Sequence, residues 1–241
     1  MGGADFDPML TGRGRIIPAM EGNVLGTSIR PTSLAEAARR HGRFYARYLH
    51  AARRAAGKRV LDIACGAGYG SACMARAADS VLGLDLDAEL VSTAAARYRR
   101  PNLRYGVHDL HQPLPGGPYD LITSFETFEH VRDPQLCLER LRDALAAGGT
   151  LMLSIPNGTK ELREQKDAPY HQVHFSAEDF RGLIGSRFPG AEFFSQLYRK
   201  DVWHYLRKLT GGGGHHARNY IFAPGLLEQA KTWLAICPKG D

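Results

Sequence analysis

Two carboxylates and an imidazole stand close together near the middle of the chain, at Glu126, Glu129 and His130. Spacings of three and four residues place side chains on one face of a helical turn. Such a set can supply oxygen and nitrogen ligands to a divalent metal, or it can act as an acid–base cluster. The segment therefore predicts a chemically active site on a short helical turn.

A second candidate site is the glycine-rich segment VLDIACGAGYG at residues 60–70. Its three glycines allow a tight turn and let a ligand approach the backbone where a strand gives way to a helix. The pyrophosphate-binding pattern G-x-G-x-x-G would need another glycine where the chain has Ser71. Asp85 ends the next apolar run and could accept hydrogen bonds from both hydroxyls of a ribose. The alternative role for Asp85 is a helix N-cap, for which Asp87 is better placed.

These candidate residues lie between short apolar runs that alternate with helical patterns. Such alternation is typical of a parallel sheet covered by helices on both faces. We therefore predict an α/β fold with a doubly wound, mostly parallel seven-stranded sheet of the Rossmann-like type. The predicted strands are residues 59–63, 80–85, 102–107, 119–125, 149–155, 191–198 and 232–237. Helices are predicted to begin at about Tyr69, at Asp87 and at Asp133, and to cover residues 177–186.

The predicted sheet carries additions before its first strand and between its last two strands. Residues 1–57 are expected to form an irregular arm and then a helix that covers the cofactor and the substrate. Thr32 or Ser33 caps this helix, Glu36 completes a capping-box pattern, and the helix runs to about Ala56. The remaining domain, 58–241, contains an insertion at residues 199–231. Its helical stretch at 201–209 and the run from Gly211 to Gly214 favour a substrate lid.

The chain of 241 residues carries a formal net charge of +6, and its basic surplus precedes residue 59. Several arginines recur on one predicted helix, at Arg39, Arg40, Arg43, Arg47, Arg53 and Arg54. We interpret them as the solvated face of an amphipathic helix rather than a nucleic-acid-binding patch. The four cysteines form no CxxC pair and are expected to be buried. Neither a membrane span nor a secretory signal pattern is found, which predicts a cytoplasmic protein without a membrane partner.

The block from residue 60 to 157 resembles the class I S-adenosylmethionine-dependent methyltransferases. Five motifs follow in that family's order: VLDIACGAGYG, LGLDLD, HDL, YDLITSFETFEHV and LAAGGTLMLSIPN. The resemblance implies S-adenosyl-L-methionine as cofactor, with the first turn on the methionine part, Asp85 on the ribose and Asp109 on the adenine amino group. Leu86 and Leu110 would sandwich the adenine ring. The implied cofactor-binding residues are Ala64, Gly66, Gly68, Asp85, Leu86, Asp109, Leu110 and Phe125.

Two further resemblances concern single segments. HGRFYARY (41–48) resembles a helix that closes over the cofactor in related members, which makes Arg43 a candidate partner of the cofactor carboxylate. The E-x-x-E-H pattern resembles the segment with which plant small-RNA 2′-O-methyltransferases hold a divalent metal, helped by a later histidine. In the equivalent place this chain has PYHQVHFSAEDF (169–180), which offers His171 or His174.

The metal resemblance implies a site for Mg²⁺ or another divalent ion. Its ligands would be Glu126, Glu129, His130 and His171. Two alternatives stay open for the same residues. In one, the site is metal-free and His130 or His171, together with Glu129, acts as the general base. In the other, the role of these side chains is purely structural.

The segments RIIPAMEG, PYHQVHFS and WLAICPK resemble those of bacterial methyltransferases of sugar and natural-product biosynthesis, including antibiotic biosynthesis. The resemblance implies an O-methyltransferase whose partner is a small-molecule acceptor, a sugar or a hydroxylated metabolite. N-methylation of an amino sugar and 2′-O-methylation of RNA are the alternatives, and the lack of a recognisable RNA-binding module disfavours the second. A nicotinamide-dependent oxidoreductase is disfavoured by Ser71. A homodimer is an open expectation for the assembly.

Overall fold

A computed structural model describes residues 30–163, 171–209 and 215–240 of the protein. The described residues contain one sheet of eight strands. The strands are β1 (Arg59–Ile63), β2 (Ser80–Asp85), β3 (Leu103–Val107), β4 (Tyr119–Phe125), β5 (Leu145–Pro156), β6 (Glu192–Tyr198), β7 (Tyr220–Pro224) and β8 (Thr232–Pro238). Because the predicted strands recur in the structure, the doubly wound α/β prediction is confirmed.

The strand order is β3-β2-β1-β4-β5-β8-β6-β7. The first five strands in this order are parallel, whereas β8 runs antiparallel to both β5 and β6. From β1 the chain adds β2 and β3 on one side of the sheet and then crosses to add β4 and β5 on the other side. Open α/β sheets bind ligands at the carboxyl ends of the strands beside such a switch point. The carboxyl ends of β1 and β4 therefore mark where a site is expected.

Eight α-helices connect or flank these strands in the described part of the chain. They are α1 (Leu34–Arg40), α2 (Gly42–Ala52), α3 (Tyr69–Met74), α4 (Ala88–Arg97), α5 (Pro134–Ala144), α6 (Gly158–Arg163), α7 (Ala177–Gly185) and α8 (Val202–Leu209). Asp87 caps α4 and Asp133 caps α5, with Pro134 in the first turn. Ser176 and Asp179 form a capping box at α7. These starts agree with the sequence predictions because side-chain caps are local signals.

The predicted helix up to Ala56 is instead two helices, α1 and α2, which meet at His41. Ser33 is the N-cap of α1, and the Glu36 carboxylate accepts hydrogen bonds from the backbone and hydroxyl of Thr32. At the junction Gly42 lies against the backbone of residues 215–217, where a Cβ atom would collide with the His215 carbonyl oxygen. The break therefore depends on a contact between segments far apart in sequence.

The sheet has one strand more than the seven predicted. The additional strand, β7, lies inside the predicted insertion 199–231 and pairs antiparallel with β6. The prediction missed it because the run YIFAP ends in Pro224, and a proline in such a run indicates an edge strand or no strand. The predicted helical stretch of the insertion is confirmed as α8, whereas Gly211 to Gly214 lie outside the described residues, as does most of the predicted irregular arm.

Two apolar clusters fill the two faces of the sheet. Leu121 packs in the cluster beneath α1 to α3, while its neighbour Ile122 packs in the cluster beneath α5 and α7. Successive strand residues point to opposite faces, so strands of continuous apolar character supply both clusters. All four cysteines are buried, as expected. Among the described residues, the helices are too short or too polar to cross a bilayer.

The role of Ser176 as the N-cap of α7 can be tested by substitution. Replacing Ser176 by Ala should lower the free energy of unfolding by about 1 kcal/mol, because the Asp179 amide loses its side-chain acceptor. Urea unfolding measures the change. Ser92→Ala, at an exposed position within α4, is the matched control and should alter stability by less than about 0.5 kcal/mol. Equal losses in the two variants would contradict the capping role.

Candidate active site

The turn after β1 is built from backbone conformations that ordinary residues avoid. Ala64 has φ +56°, Gly66 +54° and Gly68 +80°. A Cβ atom on Gly68 would strike Ala94 and Tyr105, whereas one on Gly66 would meet no atom within 4 Å. Gly68 is therefore needed for packing, while Gly66 borders open space into which a ligand can approach the backbone. An alanine held at positive φ beside it is the kind of local strain found at functional sites.

Asp85 lies at the end of β2, beside this turn. Its Oδ2 accepts a hydrogen bond from the Gly66 amide at 2.7 Å, and its Oδ1 accepts one from the Asp87 amide at 3.0 Å. Burial raises the pKa of Asp85, and the two amide donors offset part of that effect. Asp87, not Asp85, caps α4. Asp85 is thus held by the turn itself, with its carboxylate at the carboxyl edge of the sheet.

Sequence reasoning missed the carboxylate beneath this turn, Asp62 of β1. Asp62 is fully buried and accepts hydrogen bonds from Ser71 at 2.6 Å and Thr123 at 2.7 Å. Burial raises its pKa to about 6. These bonds tie β1, α3 and β4 together directly below the turn. An acid inside an apolar strand was the signal that could have identified it.

The residues implied for the adenine ring lie in different environments. Leu86 is 70% exposed just after β2. Asp109 is partly exposed, and its Oδ1 accepts a hydrogen bond from the His111 amide, which holds its pKa below the usual range. Leu110 is buried in an apolar cluster. The structure therefore leaves Leu86 and Asp109 accessible to a ligand and places most of Leu110 in the core.

The segment after β4 differs from the single helical turn predicted for Glu126, Glu129 and His130. Glu126 has φ +54° and lies outside the turn of residues 128–130. Its amide donates to the Ser154 carbonyl, and the Ser154 hydroxyl donates to its carboxylate at 3.0 Å. The prediction that Glu126 shares a face with the other two residues is wrong, because the left-handed backbone at Glu126 directs its side chain toward β5 instead.

Arg47 of α2 contacts this segment from the N-terminal helices. The predicted solvated face is wrong for this residue, since Arg47 is only 1% exposed. Its guanidinium donates to the Gln196 side chain of β6 at 2.7 Å and lies 3.7 Å from the Glu126 carboxylate. It also lies 5.9 Å from the ring centre of Phe125. A buried arginine is retained only with such partners, so Arg47 fixes α2 over the ends of β4 and β6.

Arg43, the sequence candidate for the cofactor carboxylate, lies one helical turn earlier. Its guanidinium packs 4.6 Å from the ring centre of Phe44, and its side chain is partly exposed. Its backbone carbonyl accepts a hydrogen bond from Gln196. The two arginines are four residues apart and share a helix face, and the assignment of Arg43 to the cofactor carboxylate stays a prediction.

Glu129, His130 and His171 come together as the sequence predicted. One potential ligand atom from each residue lies within 4.8 Å of the other two, and the ring centres of His130 and His171 are 5.0 Å apart. The amides of Gln172 and Val173 both donate to the Glu129 carbonyl and so hold the later segment in place. The Glu126 carboxylate is not among the ligand atoms that meet this distance, so the four-ligand metal site stays a prediction.

Glu129 has the most unusual environment in the group. It is 1% exposed, and its Oε2 has no hydrogen-bond partner among the described residues. Burial and the nearby charge of Glu126 raise its pKa well above the usual range. A buried carboxyl with an unpaired oxygen can hold a proton or complete a cation site.

Sequence reasoning did not identify Glu161, which lies in the unpredicted helix α6. Its Oε2 is 3.1 Å from His171 Nδ1 and 3.3 Å from His174 Nδ1. Burial alone would raise the pKa of Glu161, but the hydrogen bond from His171 and the charges of both histidines hold it below the usual range. No sequence signal singled out this carboxylate, because its segment lacks a periodic pattern.

A parallel sheet with its switch point at β1 and β4, an open glycine turn and a carboxylate after β2 together define an α/β protein of the class that binds nucleotide-like cofactors. The family model described as "Methyltransferase domain" matches residues 35–201. The chain belongs to this family, the class I S-adenosylmethionine-dependent methyltransferases.

Similar proteins agree with this family. A protein of Mycolicibacterium smegmatis, named as a probable S-adenosylmethionine-dependent methyltransferase, is 35% identical over 148 residues, covering 61% of this chain and 56% of its own. A ubiquinone biosynthesis O-methyltransferase of Xanthomonas campestris is 37% identical over 154 residues, covering 62% of this chain and 55% of its own. The chain thus matches about half the length of these relatives.

Two solved structures share the fold. The YcgJ protein of Bacillus subtilis superposes with a TM-score of 0.60 at 17% identity, covering 82% of this chain and 99% of that one. The N-methyltransferase NodS of Bradyrhizobium japonicum was solved with S-adenosyl-L-homocysteine. It superposes with a TM-score of 0.57 at 15% identity, covering 82% of this chain and 86% of that one. At these identities the likeness concerns the fold.

The buried position of Arg47 predicts unequal effects of two neighbouring substitutions. Arg47→Ala should lower the free energy of unfolding by about 3 kcal/mol or more, because Glu126 and Gln196 lose a buried partner. Arg43→Ala, on the same helix, should change it by no more than about 0.5 kcal/mol. Urea unfolding compares them, and Arg47→Met serves if the alanine variant does not fold. Similar losses at both positions would refute the role given to Arg47.

The raised pKa of Glu129 predicts a pH-dependent stability difference. Below its ordinary pKa the carboxyl is neutral in both states, whereas at higher pH the unfolded chain releases the proton more readily than the folded one. Glu129 therefore disfavours folding increasingly as the pH rises. The Glu129→Gln side chain cannot ionise. The free energy of unfolding of this variant, relative to that of the native protein, should therefore increase by at least about 1 kcal/mol from pH 5 to pH 8. Urea unfolding at both pH values checks this; a constant difference would exclude the shift.

Proposed function

We propose that this protein transfers a methyl group from S-adenosyl-L-methionine to a hydroxyl of a small-molecule acceptor, a sugar or a natural-product intermediate. The observation that carries the proposal is the placement of two groups at one sheet edge. The open turn at Gly66 with Asp85 follows β1 and β2, and the Glu129, His130 and His171 group gathers after β4. A donor on the first group and an acceptor on the second would be neighbours at the switch point.

The cofactor supplies a sulfonium methyl that is already activated, so the protein mainly has to align and shield the reactants. The backbone at Ala64, Gly66 and Gly68 would pass along the methionine part, near Phe125. Asp85 would bind the ribose, and Leu86, Asp109 and the accessible edge of Leu110 would hold the adenine. We assign the cofactor carboxylate to Arg47 rather than Arg43, because Arg47 lies against Phe125 and its buried Nε lacks a partner among the described residues.

A hydroxyl acceptor must lose its proton as the new bond forms. The Nδ1–H group of His171 donates a hydrogen bond to the Glu161 carboxylate, which leaves a lone pair on Nε2 of the neutral ring. His171, or His130 beside it, could then take the hydroxyl proton, and the Glu161 carboxylate would stabilise the imidazolium of His171. The sulfur–methyl bond of the bound cofactor would break as the oxygen–methyl bond forms, and S-adenosyl-L-homocysteine would be the second product.

The same three side chains could hold Mg²⁺ or another divalent ion. Glu129 Oε2 is a buried oxygen without a hydrogen-bond partner in the described residues, which fits a cation ligand. Such an ion would lower the pKa of a bound hydroxyl. The chain's residues would then orient the acceptor rather than remove its proton themselves.

The second candidate is methylation of an amine, as in an amino sugar. Glu126 and Glu129 supply carboxylates that could receive the proton of an ammonium acceptor, and NodS, which shares the fold, is named as an N-methyltransferase. The relatives named as O-methyltransferases favour the hydroxyl. RNA 2′-O-methylation is less favoured, because the sequence shows no recognisable RNA-binding module.

Residues 1–57 and α8 are proposed to cover the reactants. α2 already lies over the ends of β4 and β6 through Arg47. α8 follows β6 at this same edge and exposes large apolar side chains: Val202, Trp203, Tyr205, Leu206 and Leu209. An exposed apolar stripe of this kind suits closure over a partly apolar acceptor. Cytoplasmic placement and a homodimer stay predictions.

The cofactor assignment is tested by calorimetric titration with S-adenosyl-L-homocysteine, with NADH as the control ligand. The native protein should bind the first and not the second. Asp85→Ala should weaken binding at least about tenfold, because charge-assisted hydrogen bonds to the ribose are lost. Asp79→Ala, at the exposed opposite edge of the sheet, should bind like the native protein. Unchanged affinity in a folded Asp85→Ala variant would remove the ribose role.

Acceptor chemistry is tested by supplying hydroxylated and amino-sugar acceptors with and without a chelator. Mass spectrometry of the products distinguishes oxygen from nitrogen methylation. If His171 or His130 is the base, turnover should persist in chelator and fall in His171→Ala or His130→Ala. If an ion is required, chelator should abolish turnover and Mg²⁺ should restore it. Methylation of amines alone would replace the hydroxyl proposal.

A further inference from the structure

Glu161, His171 and His174 form a second group of potential ligands next to the proposed acceptor site. Glu161 Oε2 lies 3.1 Å from His171 Nδ1 and 3.3 Å from His174 Nδ1. The three ligand atoms all lie within 4.8 Å of one another. His171 also belongs to the group with Glu129 and His130, so the two groups share one imidazole.

The backbone holds this group from several directions. The Glu161 amide donates to the Asn157 carbonyl, and the Asn157 side chain donates to the carbonyls of residues 228 and 230. The amide of Gly158 donates to the Phe175 carbonyl. The strand end at β5 and the segment before α7 are therefore tied together, which fixes the side chains between them. Metal sites require such preorganised ligands.

His174 adds an independent observation. The residue is only 8% exposed, and its Nδ1 makes no hydrogen bond of acceptable geometry within the described residues, although it faces Glu161. A buried imidazole nitrogen normally has a hydrogen-bond partner or a metal ion. The nitrogen points at a carboxylate oxygen that a second imidazole also faces, which is the arrangement around a shared cation.

The distances and the ligand types agree with a transition ion. Metal bonds of about 2.0 to 2.2 Å separate adjacent ligands by roughly 3.0 to 3.5 Å, which includes both observed contacts. Two imidazoles with one carboxylate are the protein ligands of three-ligand zinc sites, and imidazole suits late first-row ions better than Mg²⁺. We propose that Glu161, His171 and His174 bind a late first-row divalent cation, such as Zn²⁺, at a site distinct from the Glu129, His130 and His171 group.

An ion at this site would change what His171 can do, an effect that rests on the proposed function. Without the ion, the Nδ1–H group of His171 donates a hydrogen bond to Glu161, and Nε2 can accept a proton. With the ion on Nδ1, the neutral ring carries its proton on Nε2 and becomes a donor. Zn²⁺ would then suppress proton acceptance by His171 and slow turnover.

Binding is tested without cofactor or acceptor. The full chain is treated with chelator, dialysed, and titrated with ZnCl₂ by calorimetry and with CoCl₂ by visible absorption. One equivalent should bind, and Co²⁺ should show the intense bands of a low-coordinate site. Glu161→Gln and His174→Ala should each weaken binding at least about tenfold, since even residues that only support metal ligands contribute that much. Glu129→Gln, which changes the neighbouring group, should weaken binding less than Glu161→Gln does. Glu178→Gln, at an exposed position in α7, is the matched control and should bind like the native protein.

The outcomes separate this proposal from the proposed function. No binding by the folded native chain would overturn the site, as would an equal loss in Glu129→Gln and Glu161→Gln, which would place the ion on the other group. Urea unfolding of each variant establishes that it is folded. Failure of methyl transfer leaves the zinc titration unaffected, and S-adenosyl-L-homocysteine binding by a chain that takes up no Zn²⁺ would refute only the second site.

Discussion

The guanidinium of Arg47 is buried where three parts of the chain meet. It joins α2 to β6 through Gln196 and to the segment after β4 through Glu126, while Phe125 packs beside it. Removing a charge from water is costly, so this position holds only if all three parts are in place. The N-terminal helix α2 is consequently not an accessory to the sheet, because its buried arginine is packed into the sheet edge.

Local signals in the sequence were sufficient for much of the fold. Apolar runs predicted seven strands, and side-chain caps at Asp87, Asp133 and Ser176 predicted three helix starts. The glycine turn and Asp85 were also predictable, since a tight turn and a carboxylate after a strand depend on residues near in sequence. The meeting of Glu129, His130 and His171 was anticipated from a family pattern rather than from local physics.

Features that depend on distant contacts could not be predicted in this way. Arg47 reads as a surface residue until β6 and Glu126 are placed around it. The left-handed backbone of Glu126 is stabilised by Ser154 of the adjacent strand, and helix periodicity gives no hint of it. Glu161 becomes notable only because the segment carrying His171 folds back over α6. In each case the environment, not the residue type, determines the role.

The burial of all four cysteines has a practical consequence. Burial raises the pKa of Cys65 and Cys73, so neither thiol offers a reactive thiolate at neutral pH, and Cys137 and Cys237 are shifted in the same direction. A cysteine introduced at an exposed position such as Leu209 would therefore react with a maleimide dye in an otherwise native chain. Fluorescence from that single label would report on the surroundings of α8 and on whether they change when ligands bind.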